Sequence, residues 1–173
     1  MSLVELSERL GQALAARRLT ICTAESCTGG LLASAITDVP GSSSYFLGGA
    51  VTYANAAKHS LLRVPLSYLQ SFGAVSPPVA LAMARGCAAL FGADIALATT
   101  GVAGPSGGTS EKPVGLVYIA IVAPFHAACQ HFLWPYDRLG NKNASAEAAL
   151  KLALTWLEVS GSAPAPPTSP RSA

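Results

Sequence analysis

An apolar run, Leu19–Thr23, leads straight into seven small or polar residues, Ala24, Glu25, Ser26, Cys27, Thr28, Gly29 and Gly30, and then into the apolar positions Leu31, Leu32, Ala35 and Ile36. That succession reads as strand, tight turn and helix, the opening unit of an α/β fold. Such a turn sets small polar side chains and backbone N–H groups at the end of a sheet, where α/β proteins bind their ligands. Ser26 and Thr28 bring hydroxyls, Cys27 a thiol and Glu25 a carboxylate, while Gly29 and Gly30 let a ligand come close to the backbone.

The flanking sequence fits around this unit. Ser2 and Glu5 form a capping-box pattern, and Leu3, Leu6, Leu10, Ala13 and Leu14 recur at helical spacing, predicting a first helix to about Arg18. Tyr45–Tyr53 reads as a second strand interrupted by Gly48 and Gly49, and Ala54–Leu62 as a helix that carries Lys58 just past the strand end. A short helix stops at Gly73. Ser76 then caps a longer one whose first turn holds Pro77 and Pro78 and which ends at Gly92. Asp94–Thr99 predicts a third strand, Val114–Ala123 and Ala127–Trp134 an antiparallel hairpin, Asp137–Lys142 a polar connector and Ala144–Val159 a closing helix. The order predicts a three-layer α/β/α sandwich with a mixed β-sheet. One domain should span 1–159, and 160–173, rich in proline and serine, should be a disordered tail.

Composition narrows the partners. Of 173 residues 51% are hydrophobic and only 12% charged, so a charge within a Gly- or Ser-rich stretch, such as Glu25, Lys58 or Lys112, draws attention. So little surface charge favours a homo-oligomer. A net charge of +2 spread over eleven Lys and Arg points to a small-molecule substrate, not to nucleic acid or a membrane surface. No apolar run reaches the roughly 18 residues of a membrane span. Glu5, Glu8 and Arg9 break up any signal-peptide pattern, which leads to the expectation of a cytoplasmic protein. Cys22, Cys27, Cys87 and Cys129 show no CxxC pair and no His at metal-ligand spacing, so a zinc site is not expected and the thiols read as reduced packing residues; no cofactor is expected either.

Two readings of Ser26 stand side by side: a helix cap, or a nucleophile in need of a base. None of His59, His126 and His131 lies in a glycine-rich turn, so a serine–histidine arrangement has no carrier. Lys58 has three readings. As a neutral base its pKa must fall from ~10.4 toward ~7–8, a change of roughly 4 kcal/mol; alternatively it binds an anion or is a solvated surface lysine. A second glycine-rich stretch, 101–113, holds Gly101, Gly104, Gly107 and Gly108 between Thr100 and Thr109. Its N–H groups suit a phosphate, although it matches neither the mononucleotide nor the dinucleotide glycine signature.

The strings AESCTGG (24–30), VPGSSSYFLGGAVTYANAAK (39–58), GAVS (73–76) and TTGVAGPSGGTSEKPVG (99–115) together resemble the CinA carboxy-terminal domain family, the nicotinamide-nucleotide amidases. The likeness runs from the first helix to the last. It implies hydrolysis of the carboxamide of nicotinamide mononucleotide to nicotinate mononucleotide and ammonia, in pyridine-nucleotide salvage, by a stand-alone, dimeric, metal-free α/β/α enzyme. It further implies Ser26 as nucleophile, Lys58 as its base or activating partner, and Tyr53 and Thr100 as neighbours that position nucleophile or substrate. Acyl transfer would pass through an acyl-enzyme, with N–H groups of the two glycine-rich turns (Thr28, Gly29, Gly30; Gly101, Gly104, Gly107, Gly108) holding the oxyanion and substrate. Where the family continues with Gly-Asp-Arg and a further Arg four residues on, this chain has Tyr136, Asp137, Arg138 and then Lys142. A phosphate held there meets Arg138 and a point charge at Lys142 in place of a second bidentate fork. A silent nucleotide- or partner-binding relative, and an amidase for another carboxamide, are the competing readings.

Overall fold

In the computed structural model, which describes residues 1–160, the chain alternates as the pattern requires. A capped helix α1 (Leu3–Arg17) precedes strand β1 (Ile21–Glu25), and the turn after β1 opens α2 (Leu31–Thr37). A short 3-10 turn, Ser42–Ser44, leads to β2 (Phe46–Val51), followed by α3 (Asn55–Leu62), α4 (Leu66–Ser71) and α5 (Pro77–Phe91). Then come β3 (Ile95–Gly101), β4 (Leu116–Ala123), β5 (His126–Leu133) and the closing α6 (Arg138–Ser160). The five strands form one mixed sheet in the order β2-β1-β3-β4-β5. β1 runs parallel to both β2 and β3, and β4 and β5 return antiparallel.

Both faces of the sheet are covered, which is why β1 and β3 are buried at successive residues and not at alternate ones. On one face Ile21, Leu97 and Ile119 pack with Leu6, Leu10, Leu32 and Leu150 of α1, α2 and α6. On the other, Cys22, Ala24, Ala96 and Ala98 pack with Leu62, Leu69, Met83 and Cys87 of α3, α4 and α5. The second face is built of small side chains, so its helices approach closely. At Gly86 of α5 an added Cβ would lie 1.8 Å from the Leu62 carbonyl oxygen of α3. β1 sends the chain to β2 on one side while β3 continues to β4 on the other. The ends of β1 and β3 therefore open onto a crevice, the place where α/β sheets seat ligands.

Three expectations change. Asp137–Lys142 is not a connector: α6 already starts at Arg138, because the Asp137 carboxylate accepts from the Gly140 N–H at 2.7 Å and caps the helix. β3 runs on to Gly101, which stays paired with Val117, so Thr100 and Gly101 are strand residues and the glycine-rich loop begins after them. Ser76 precedes α5 without a side-chain cap; its hydroxyl donates to the Gly73 carbonyl instead. The closing helix includes Ser160, and the tail expected after it lies outside the described residues.

Gly86→Ala should push α3 off α5 and destabilise the fold by about 2–3 kcal/mol, read as a lower urea midpoint with an unchanged slope.

Candidate active site

Ser26 is the first residue past β1. Its N–H donates to the Thr99 carbonyl at 2.9 Å, so the sheet ladder holds it to the end of β3. On the other side the Thr52 N–H donates to the Glu25 carbonyl at 2.8 Å and brings in the chain leaving β2. That chain turns into α3, whose inner face carries Lys58 and, one turn on, the core residue Leu62. Lys58 thus enters beneath the turn from the small-residue face and is 1% exposed.

Lys58 Nζ lies 3.0 Å from Ser26 Oγ, 2.8 Å from the Thr52 carbonyl oxygen and 3.0 Å from that of Tyr53. Carbonyls only accept, so two of the three directions at the nitrogen must be N–H bonds. The third faces Ser26 Oγ. In an ammonium it is another N–H; in a neutral amine it is the lone pair, aimed at the hydroxyl proton. No carboxylate pairs with Lys58 among the described residues. Burial lowers its pKa from the ordinary lysine value.

Ser26 is not the helix cap. The residue before α2 is Gly30, and the cap comes from Glu25, five residues upstream, whose carboxylate reaches over the turn. It accepts from the N–H groups of Gly30 (3.0 Å), Leu32 (3.1 Å) and Ala33 (2.8 Å) and from the Thr28 hydroxyl (2.6 Å). The Thr28 hydroxyl also meets Thr99 Oγ1 at 2.7 Å and is fully buried, so its expected offer to a ligand is withdrawn into the core. Ser26 Oγ keeps Lys58 as its sole hydrogen-bond partner among the described residues. Cys27 packs inward as expected, its thiol pushed up to about 12 chiefly by burial. In the turn, the N–H groups of Ser26, Gly29 and Gly30 are committed to Thr99, Ser26 and Glu25, whereas no carbonyl among the described residues accepts from those of Cys27 and Thr28.

Of the other predicted residues only Tyr53 touches this pair, through its backbone carbonyl. Tyr53 contributes its carbonyl to Lys58, while its exposed ring reaches Arg138, whose Nη2 donates to the phenol oxygen at 3.0 Å. Arg138 Nη1 donates to the Gly104 carbonyl at 2.7 Å and so spans the mouth from the β2 end to the glycine-rich loop. Lys142, one turn further along α6, has no partner among the described residues, and its Nζ lies 3.7 Å from the position of a Cβ on Gly29. Thr100 donates to the Ala74 carbonyl at 2.8 Å, holding the 73–76 turn against β3. Gly101, Gly104 and Gly108 press on Val114–Val117 and fold the loop onto β4, while Gly107 meets little beyond Val102. The hollow between β5 and α6 lined by Phe132, Trp134 and Lys151, about 250 Å³, includes none of these residues.

Two anchors were not singled out for this task by sequence. Asn141, 1% exposed, donates to the Ala103 carbonyl at 3.0 Å and accepts from the Tyr136 N–H at 3.2 Å, fastening the loop to α6. Lys112, flagged only as a charge in a polar loop, donates to the Phe72 carbonyl at 2.5 Å. For Asn141 the legible signal was Asp137, a helix cap four positions earlier.

Residues 3–157 match the CinA C-terminal domain. The chain belongs to the CinA C-terminal domain family. A CinA-like protein of Chlorobium limicola is 50% identical over 158 residues, covering 88% of this chain and 37% of the relative. A putative competence-damage inducible protein of Moorella thermoacetica is 52% identical over 142 residues, covering 82% and 34%. The chain thus spans little more than a third of the length of these curated relatives. Among solved structures, a competence/damage-inducible protein from Agrobacterium tumefaciens superposes with a TM-score of 0.87 at 40% identity, over 90% of this chain and 95% of that one. A CinA superfamily protein from Klebsiella pneumoniae gives 0.89 at 33% identity, over 92% and 99%. The mixed-sheet α/β architecture is the family's own.

Because folding lowers the Lys58 pKa, the folded chain binds fewer protons than the unfolded one between the folded value and about 10.4. Stability should therefore rise with pH across that window and be flat below it. Denaturant titrations at several pH values should show wild type gaining on Lys58→Met as pH rises toward 10; a constant difference would contradict the burial effect.

Proposed function

We propose that this chain is an amidohydrolase that deamidates nicotinamide mononucleotide through Ser26 and Lys58. The observation that carries this reading is the buried Lys58 nitrogen, without a carboxylate partner among the described residues and tied to two carbonyls, with its remaining direction on Ser26 Oγ at 3.0 Å. In the reaction Ser26 Oγ attacks the carboxamide carbon and its proton passes to the neutral Lys58 amine. The tetrahedral oxyanion is met by the N–H groups of Cys27 and Thr28, the pair in the turn that no carbonyl among the described residues engages. Lys58 then gives the proton to the departing nitrogen, which leaves as ammonia. Water, deprotonated by the same amine, attacks the Ser26 ester; the acyl–Oγ bond breaks, Lys58 returns the proton to Ser26 Oγ, and nicotinate mononucleotide is released. The chain needs no cofactor in this scheme, and among the described residues no cluster of three or more His, Cys, Asp or Glu is placed to hold a metal.

The cations of the mouth divide in this reading. Arg138 is committed to Gly104 and Tyr53 and braces the site, whereas Lys142, above Gly29, meets the phosphate. The longer relatives carry names that refer to competence and damage induction; those words describe them, and the assignment here rests on the geometry and on the family resemblance.

Purified chain given nicotinamide mononucleotide should release ammonia with chelator present, on a rate profile rising through a pKa below that of ordinary lysine. Ser26→Ala and Lys58→Arg should each lose at least about a thousandfold in kcat, the latter because a guanidinium cannot give up its proton. Saturable binding without ammonia, or full turnover by Ser26→Ala, would overturn the assignment. Lys142→Gln should raise KM about tenfold for the mononucleotide and leave kcat near wild type, whereas Arg138→Gln should lower kcat as the mouth loses its brace. Parallel assays with the dephosphorylated riboside check the phosphate contact, since Lys142→Gln should leave its KM unmoved.

A further inference from the structure

A carboxylate that is 1% exposed and has no cationic partner among the described residues calls for an explanation of its place, and Glu25 adjoins the nucleophile. A serine, threonine or aspartate at the residue before α2 would cap a helix more simply. Here that residue is a glycine in the left-handed region (φ 97°), following a second such glycine at 29 (φ 65°), so the chain makes a compact turn that leaves no local side chain for the cap. Glu25 supplies it from the far side of the turn. Its two oxygens join the strand that ends at residue 25 to the helix that starts at 31, with residues 26–29 enclosed between.

The middle of the enclosed stretch is fastened as well. Thr28 Oγ1 donates to Glu25 Oε2 and therefore accepts from the Thr99 hydroxyl, since its single proton is already used. Thr99 also receives the Ser26 N–H on its carbonyl. The peptide units of Cys27 and Thr28, whose N–H groups no carbonyl among the described residues engages, are thus bracketed by Ser26 N–H to Thr99 on one side and Thr28 hydroxyl to Glu25 on the other.

We infer that Glu25 is the positioning residue of the nucleophile turn: acting through Thr28 and the first N–H groups of α2, its carboxylate fixes Ser26 Oγ and the Cys27 and Thr28 N–H groups against a reacting carbonyl. This rests on the reading of Ser26 as nucleophile and names what orients it. Glu25 touches no substrate. A neutral amide at this position keeps the shape but turns one acceptor into a donor facing N–H and O–H groups, so the turn must shift.

The test uses the full chain with a fluorophosphonate, which phosphonylates activated serines with loss of fluoride, followed by intact mass, alongside amide turnover. Glu25→Gln and Thr28→Val should each slow Ser26 labelling about tenfold or more, lower kcat by a like factor and leave KM within about twofold. Thr28→Ser, which keeps the hydroxyl chain, should restore the rate lost in Thr28→Val. A folded Glu25→Gln labelled at the wild-type rate overturns the inference, as does a Thr28→Ser no faster than Thr28→Val. A merely structural role would lower the melting temperature or raise KM and leave the labelling rate of the folded fraction unchanged. If Glu25→Gln does not fold, the two Thr28 variants decide. Wild type that labels at Ser26 yet releases no ammonia refutes the proposed amidase while labelling rates still judge Glu25; wild type that does not label refutes the inference.

Discussion

The buried nitrogen of Lys58 sets the terms for everything around it. An ammonium taken out of water without an anion is costly, and the fold supplies carbonyls in place of a carboxylate. Those carbonyls belong to Thr52 and Tyr53, the link between β2 and the helix that carries the lysine, so the segment that delivers Lys58 also receives two of its bonds. The third direction is filled from another strand, at Ser26. The nearest acid in sequence to that serine, Glu25, is occupied by α2 and does not neutralise the lysine. Among the described residues Lys58 therefore stands in hydrogen bonds to two carbonyls and a serine hydroxyl and in no salt bridge.

The sheet explains how two segments 32 positions apart meet with this accuracy. Three parallel strands end on the same side, and the central one ends in the turn. The two faces then do different work. Large Leu and Ile side chains fill the face under α1, α2 and α6, where apolar burial per residue is greatest. Ala, Cys and Gly line the face under α3 and α5, giving up some of that burial for close approach. A bulky β1 residue in place of Ala24 would crowd the layer it shares with Leu62 of α3 and Met83 of α5. Small residues beside the site are therefore part of its geometry.

Much of this was legible in the sequence. The strand-turn-helix at 19–37, the helix bearing Lys58 and the mixed sheet follow from apolar runs and breakers; Lys58 lies against Ser26 and the Tyr53 carbonyl, and Arg138 meets the Tyr53 phenol. Three things were not legible, each for a physical reason. Asp137–Lys142 is polar because it is the outer first turn of a helix capped by Asp137, and polarity alone does not separate a loop from a helix end. Thr28 was assigned outward because a turn carries no period, so nothing local told which way its hydroxyl points; the partner that turned it inward, Thr99, is 71 positions away. Glu25 had no nameable partner for the same reason: a cap reaching forward to residue 33 is not one of the local capping patterns.

A serine between a strand and a helix is by default a cap, and a capping hydroxyl holds its oxygen against helix N–H groups, where it is a poor nucleophile. Two reactive uses of one oxygen compete. In this chain the competition is removed one residue upstream, because a longer side chain takes the helix N–H groups and the serine oxygen is left to the lysine. The glycine before α2 makes the same choice from the other end, since it offers no side chain that could cap. Glu25, Ser26 and the pair Gly29–Gly30 thus form one device, and the glutamate is what makes the serine's second role chemically open.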